Sequence, residues 1–248
     1  TAQRVLRNTA AGLAGGAALA AAGYAAVVAY HRARYGSVDP ATLDRTASLI
    51  DRFIPDPEVV EHNQIAIDAP ADVVMATAKE MELMRSPLIR SIVKARELVL
   101  GGAPDARPHP TQLIEQMKSI GWVVLAEMPG REIVMGSVTQ PWHAAPVFRS
   151  IPPDEFAAFA EPGYVKIAWT LRASPLDERR SMFHTETRVS TTSADARDRF
   201  RKYWSFVAPG VELIRLAMLR PLKCAAERRV AVAIRAPLAL AGRRIDVP

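Results

Sequence analysis

The feature that most constrains this fold is a change of hydrophobic period along the chain. Between Trp122 and Thr191 apolar residues alternate with polar ones, which is the period of half-buried β-strands. From Asp195 the period becomes helical, and one apolar stripe follows it: Phe200, Tyr203, Trp204, Val207, Val211, Ile214, Met218 and Leu222. Antiparallel strands followed by a long helix are typical of an α+β protein whose sheet packs against helices on one face.

Turn signals such as Pro129-Gly130 and the polar stretch 174–180 divide the chain into elements. The predicted strands are 59–68, 122–128, 131–140, 164–173 and 181–191, and the predicted helices before the last one are 40–53, 73–84 and 87–100. A curved sheet that wraps a long helix leaves a concave space between the two. Such spaces usually become ligand pockets.

Residues 9–30 form 22 consecutive positions without a charged side chain. As a helix they extend about 33 Å, enough to cross a hydrocarbon core of about 30 Å. The pattern favours a single membrane anchor with Tyr24 and Tyr30 as interfacial residues, while a cleaved signal peptide and a buried helix stay open. Gly12 and Gly16 place small residues on one face, where a second copy can pack to form a homo-oligomer. Basic residues on both flanks leave the membrane side undetermined.

The formal charge of +6 comes from the end of the chain, because twelve Lys/Arg face five Asp/Glu from Asp195 onward. We expect the helix to carry its basic residues on the solvent face: Arg197, Arg201, Lys202, Arg215, Arg220 and Lys223. Attraction to an anionic membrane is the alternative reason for this charge. The sequence has no zinc-finger spacing, RNA-binding aromatic pattern or recognition-helix signature, so nucleic acid is disfavoured as a partner.

Several classes of site are disfavoured by the sequence. Cys224 is the single cysteine, which excludes an internal disulfide and a cysteine-based zinc site. The chain has no HExxH motif, no serine nucleophile elbow and no nucleotide-binding loop. Its five histidines are dispersed along the sequence. We therefore predict no metal and no cofactor.

The stretch from Ile65 to Val74, a strand that ends in Ala-Pro before a helix, resembles the opening of the SRPBCC or START-like superfamily. This superfamily has the Bet v 1-like, helix-grip fold. The strings from Thr185 to Val189 and from Phe200 to Trp204 resemble an uncharacterised bacterial subset of it. The resemblance covers residues 58–226 and implies a cavity for a hydrophobic or amphipathic molecule. Members include lipid carriers, polyketide cyclases and hydrophobic-ligand receptors.

The sequence therefore divides into four predicted segments. They are an N-terminal membrane-anchor helix and linker (1–35), a connecting helix (36–57), a START-like helix-grip domain (58–226) and a basic apolar tail (227–248). The tail is able to lie on lipid, to cover the pocket or to stay disordered.

Polar candidates for the site come from one loop and one strand. His143, after the second strand of the hairpin, has the pKa range of a general acid or base, and the alternative is a surface histidine. His184, Glu186 and Arg188 share one face of the last strand. If that face points inward, the three can bind a ligand head group or polarise a carbonyl; if it points to solvent, it is an ordinary wet face of an antiparallel sheet.

Aromatic candidates are predicted to line the cavity. Trp142 precedes the loop histidine, Trp169 lies on a strand with apolar neighbours, and Tyr203 and Trp204 lie on the apolar stripe of the last helix. Packing in the core is the alternative role for each of them.

Three hypotheses of function follow from these predictions. The leading one is a membrane-tethered domain that binds, and transfers or sequesters, a lipid-like small molecule. The second is a polyketide cyclase or dehydratase in which His143 or His184 acts as acid/base and Arg188 orients an oxyanion. The third is a non-catalytic partner of membrane proteins that associates through Gly12 and Gly16.

Overall fold

The computed structural model describes residues 22–38, 48–101 and 110–241, with side chains as far as residue 234. These ranges form an α+β fold in which a five-stranded antiparallel sheet packs against a long C-terminal helix, consistent with a helix-grip fold. The strands are β1 (Val59–Ile67), β2 (Val123–Met128), β3 (Glu132–Thr139), β4 (Val165–Pro175) and β5 (Ser181–Thr191), in the spatial order β1-β5-β4-β3-β2. The helices are α1 (22–34), α2 (Ala71–Lys79), α3 (Pro87–Leu100), α4 (Leu113–Ser119), α5 (Pro153–Phe156) and α6 (Ala194–Ala241).

Local signals explain where several of these elements begin and end. The hydroxyl of Ser86 accepts a hydrogen bond from the amide of Ile89 at the start of α3, and Gly101 ends that helix with a φ of 71°. The predicted helix 40–53 is only partly within the described residues, since 39–47 lie outside them. Within the described part, its last residues form a short 3-10 turn, Leu49–Arg52, capped by Ser48.

The two faces of the sheet are distinguished by the middle strand, β4. The inner face, which meets α6, carries Val165, Ile167, Trp169, Leu171 and Ala173, and the outer face carries Lys166, Ala168, Thr170 and Arg172. Residues directly opposite in antiparallel strands share a face, so register assigns the side chains of the other strands too.

Apolar side chains cover both faces. On the inner face Leu171 and Phe183 pack with Leu219 and Leu222 of α6. On the outer face Ile50 and Phe53 from the segment before β1 pack against Phe156 of α5 and the sheet. Burial of each such side chain contributes about 1.5–3 kcal/mol. The sheet is therefore the middle layer of three.

The predicted membrane anchor falls largely outside the described residues, and so do Gly12 and Gly16. Its last residues, from 22 onward, belong to α1, which lies against α6: the Tyr24 hydroxyl donates a hydrogen bond of 2.5 Å to the carbonyl of Phe206. Among the helices in the described ranges, none combines the length and the apolar character needed to cross a bilayer.

Candidate functional site

Part of the inner face of the sheet is accessible, and we call the region beside this accessible surface the inner space. Ile167 and Trp169 are partly accessible there, although β4 is flanked by a strand on each side. Their neighbours on the same face, Val165 and Leu171, are fully buried. All four side chains lie on the inner face, so the accessible surface of Ile167 and Trp169 opens on the side of the sheet where α2 packs on β4 and α6 packs on β1 and β5.

Two apolar clusters border the inner space. One contains Leu171 and Phe183 of the sheet with Leu219 of α6, and Trp169 and Met218 pack against it. The other contains Val165 and Val189 of the sheet with Phe200, Trp204 and Ala208 of α6. Ile167 contacts both clusters, so the inner space lies between them.

The β1–β5 side of the inner face is polar where it borders this space. Glu61 of β1 lies opposite Thr187 of β5, and Asn63 lies opposite Thr185. Thr187 in turn lies opposite Trp169 of β4, which continues the same row across the sheet. The two threonines are only 7% and 8% exposed. Polar groups therefore line one wall of a mostly apolar space.

Arg215 of α6 lies against this polar wall. Its Nη1 donates a hydrogen bond of 3.3 Å to the backbone carbonyl of Glu61, and its side chain is only 8% exposed. Its Nε is buried without a hydrogen-bond partner. Burial lowers the pKa of Arg215 to about 10, and burial is also the main reason that the pKa of Glu61 is raised.

The position of Arg215 corrects the sequence analysis, which placed it with the solvent-facing basic residues. It follows Val211 by four residues and precedes Leu219 by four, so the three share one helix face. Val211 and Leu219 both belong to or pack against the apolar clusters that meet the sheet. A helical pattern that contains one charge in its apolar stripe is ambiguous, because long basic side chains can also reach solvent from such positions.

The predicted aromatic residues differ in their relation to the inner space. Trp169 borders it and contacts the ring of Trp122, with centroids 6.2 Å apart. Trp204 stacks on Phe200 in one of the bordering clusters. The Tyr203 hydroxyl accepts a hydrogen bond of 3.1 Å from Nε of Arg96 on α3, so it ties two helices together. Trp204 and Tyr203 thus have packing roles.

Trp142 and His143 lie in the loop after β3. His143 is exposed. Trp142 is half-buried, its indole N–H has no hydrogen-bond partner, and its ring lines a surface pocket of about 410 Å³ with Val99, Tyr203 and Phe206. The structure does not bring His143 to the inner face of the sheet.

The polar row of β5 points to the outer face and is nevertheless buried. Arg188 pairs with Glu186 (Nε to Oε1, 2.5 Å), donates to the carbonyl of Ile54 at 3.1 Å and pairs with Asp51 at 2.6 Å. His184 lies on the same face with its Nδ1 3.4 Å from Nε2 of His62. The sequence left two alternatives for this row, a cavity wall and a solvent-exposed surface. The segment before β1 covers the row instead, so its polar side chains are buried.

The strand residues proposed for catalysis therefore lie on the opposite face of the sheet from the predicted cavity wall. His184 and Arg188 lie on the face of the sheet that is turned away from α6, whereas Trp169 lies on the face turned toward it. Glu186, proposed as a ligand contact, is bound by Arg188 on the outer face. The alternation that identified the row could not tell which face α6 covers, because β5 is buried on both sides.

Comparisons with known proteins give only distant similarities. No family model and no curated protein matches the chain. A hypothetical protein from Helicobacter pylori is 10% identical with a TM-score of 0.38, covering 75% of this chain and 98% of its own. An aromatase/cyclase from a Streptomyces species is 14% identical with a TM-score of 0.25, covering 69% of this chain and 95% of its own. A Deinococcus radiodurans protein is 12% identical with a TM-score of 0.26, covering 61% and 99%. Similarity at this level says nothing about ligand or reaction.

Proposed function

We propose that this chain binds a hydrophobic or amphipathic small molecule in the inner space. The observation that carries the proposal is the partial exposure of Ile167 and Trp169 on the middle strand, on the face that α6 covers. Apolar surface left accessible to water costs about 25 cal/mol per Å². A bound apolar molecule removes that cost, and a concave space with few polar groups is the usual form of such a site.

A lipid-like ligand and a membrane tether complete the proposal. Both rest on the sequence: the uncharged stretch 9–30 is long enough to cross a bilayer, and the basic end of the chain is attracted to anionic lipid. A tether keeps the binding domain near the bilayer in which a lipid-like ligand is dissolved, so exchange with the membrane needs no diffusion through water.

The geometry supports binding better than the cyclase-like reaction. That reaction needs His143 or His184 together with Arg188 at a common point beside the substrate. The two strand residues lie on the outer face, and His143 lies in an exposed loop. From these positions the proposed acid/base and Arg188 do not reach a common point in the inner space.

The experiment that tests binding uses a fluorescent amphiphile, dansyl-undecanoate, titrated into the purified chain. Ile167→Phe adds a ring to the wall of the inner space, and we expect it to weaken binding about tenfold or more, roughly 1.4 kcal/mol. Thr187→Leu is a milder change at the same site, for use if Ile167→Phe disturbs folding. Mass spectrometry of organic extracts identifies any ligand that copurifies.

Ala66→Phe is the matched control, because Ala66 is exposed on the outer face of β1. We expect this variant to bind the probe as wild type does, with all variants folded by circular dichroism. Equal affinity for wild type, Ile167→Phe and Thr187→Leu would place the probe elsewhere and contradict the proposal.

A further inference from the structure

Arg215 is a buried charge whose partners are incomplete. Its guanidinium group makes one hydrogen bond, from Nη1 to the Glu61 carbonyl, and its buried Nε makes none. Within the part of the chain that the structure describes, no carboxylate oxygen lies within 4.0 Å of its nitrogens. A buried charge is costly unless it is paired and hydrogen-bonded, so this arrangement leaves an unmet demand for an anion.

The nearby carboxylates do not meet this demand. Glu61 is half-buried, and Arg215 bonds its backbone carbonyl and not its carboxylate. Glu212, one helical turn before Arg215, is exposed to solvent. Glu61 and Glu186 act on the guanidinium group through space and raise the pKa of Arg215 against the larger effect of burial, but neither forms an ion pair with it.

The unpaired edge of the guanidinium group has the form that recognises a carboxylate. Nη1 is used by the Glu61 carbonyl, which leaves Nε and Nη2 without hydrogen-bond acceptors in the described structure. These two nitrogens present parallel N–H groups of the kind from which a carboxylate accepts both at once. Nε is buried, so a ligand carboxylate reaches it only when the side chains that cover it shift. Thr187 lies opposite Glu61 on the inner face of the sheet, and Thr185 lies opposite Asn63, so two further hydroxyl groups belong to the wall that Arg215 contacts.

We propose that Arg215 binds the carboxylate head group of an amphipathic ligand whose apolar part lies along Ile167 and Trp169. This inference rests on the proposed function and adds the chemical class of the ligand, an organic acid with an apolar chain or ring system. Arg215 separates two apolar clusters along α6, so a head group beside it leaves apolar surface within reach of the rest of the molecule. The ligand supplies the negative charge that the described chain does not place beside Arg215.

The experiment compares dansyl-undecanoate with its methyl ester, which has the same apolar part and no charge. We expect wild type to bind the acid about tenfold or more tightly than the ester, the scale of a charge-assisted bidentate pair. Arg215→Met removes the charge at similar length, and we expect equal affinities for the two probes. Arg215→Lys keeps the charge without the planar fork, so part of the preference should remain.

Arg220→Met is the matched control, since Arg220 is exposed on the same helix. We expect it to keep the wild-type preference. Arg215→Met loses a poorly paired buried charge, so it should fold with a Tm equal to or above that of wild type.

The outcomes separate this inference from the proposed function. Equal binding of acid and ester by wild type, or a preference that survives Arg215→Met, overturns the role of Arg215 and leaves ligand binding intact. Failure of both probes to bind overturns the proposed function, and this inference with it.

Discussion

At the scale of single residues, the charged side chains buried on the outer face of the sheet have hydrogen-bond or ion-pair partners. Oε1 of Glu132 accepts hydrogen bonds from the Ser48 hydroxyl (2.5 Å), the Leu49 amide (3.1 Å) and the Thr170 hydroxyl (3.0 Å). Arg188 likewise forms ion pairs with Glu186 and Asp51 and donates a hydrogen bond to a backbone carbonyl. These bonds hold residues 48–54 on the sheet, so the layer is structural.

The Glu186–Arg188 pair gives a stability prediction. Arg188→Met leaves the Glu186 carboxylate buried without its partner, and we expect the free energy of unfolding to fall by about 3–5 kcal/mol. Chemical denaturation measures this change. Arg199→Met is the control: Arg199 pairs with Asp195 on the surface, and its loss should cost at most about 1 kcal/mol. Similar losses in the two variants would refute the structural role of the buried pair.

His184 gives a prediction of pH dependence. Burial lowers its pKa to about 4, with Arg172 and His62 adding to the shift, whereas an unfolded histidine titrates near pH 6.5. Between these values the unfolded chain binds a proton that the folded chain does not. Stability should therefore be fully present above about pH 6.5 and fall as the pH drops toward 4.

The measurement is a series of unfolding curves from pH 7 down to pH 4.5. We expect His184→Gln to flatten the slope, while His143→Gln, a change at an exposed histidine, should leave it unchanged. The folded-state pKa of His62 is also lowered, so some slope should remain in His184→Gln. Identical slopes for wild type and His184→Gln would contradict the assignment.

Some residue roles could be predicted from the sequence and others could not. Alternation placed His184, Glu186 and Arg188 on one face, and register confirms that they share it. Whether that face points toward α6 or toward the segment 48–54 depends on contacts that are distant in sequence. The alternation of polar and apolar residues does not reveal it. Arg215 was missed for a related reason, because its charge suggested solvent and only its position within the apolar stripe suggested otherwise.

At the scale of elements, β3 is buried along its whole length, and Gly136 makes this possible. A Cβ at this position would lie 2.4 Å from Cδ1 of Leu125 and 2.9 Å from Cε2 of Phe156. The absence of a side chain therefore lets β2 and α5 approach the strand closely.

Gly136→Ala should lower the free energy of unfolding by about 1–3 kcal/mol, because the added methyl overpacks the outer core. Thermal or chemical denaturation measures the change. Gly23→Ala, in α1 with nothing within 4 Å of the added Cβ, is the control and should be neutral or mildly stabilising. A Gly136→Ala variant as stable as wild type would show that the contact relaxes without cost.

Elements with strong local signals were predicted well. Helix 87–100 has a serine cap, a first-turn proline and a terminal glycine, and the structure has those same limits. The hairpin around Pro129-Gly130 also forms, as β2 and β3. The segment 48–54 was not predicted as part of the sheet's covering, because its packing on β3 and β4 depends on contacts distant in sequence.

At the scale of the whole molecule, the three layers give the sheet two different environments. The outer layer is filled by apolar residues and paired charges, while the inner layer has two apolar clusters with a partly open space and one poorly paired arginine between them. The α+β class and the long terminal helix were predictable from the order of hydrophobic periods. The position and lining of the space required the strand register.

The membrane tether is a prediction at this scale. We expect the chain expressed in bacteria to remain in the membrane pellet after a carbonate wash, and a variant without residues 1–21, which keeps α1 on α6, to be soluble. A full-length chain in the soluble fraction would contradict the anchor. Intact mass distinguishes the signal-peptide alternative, since cleavage shortens the chain.

The most direct test of ligand binding between sheet and helix is methyl NMR of the protein titrated with dansyl-undecanoate. We predict that the signal of Ile167, beside the inner space, shifts in proportion to bound probe. Signals of Val134 and Val138, buried in the outer core, should stay in place. Shifts confined to other surfaces, or no shifts at saturating probe, would contradict a ligand site between the sheet and α6.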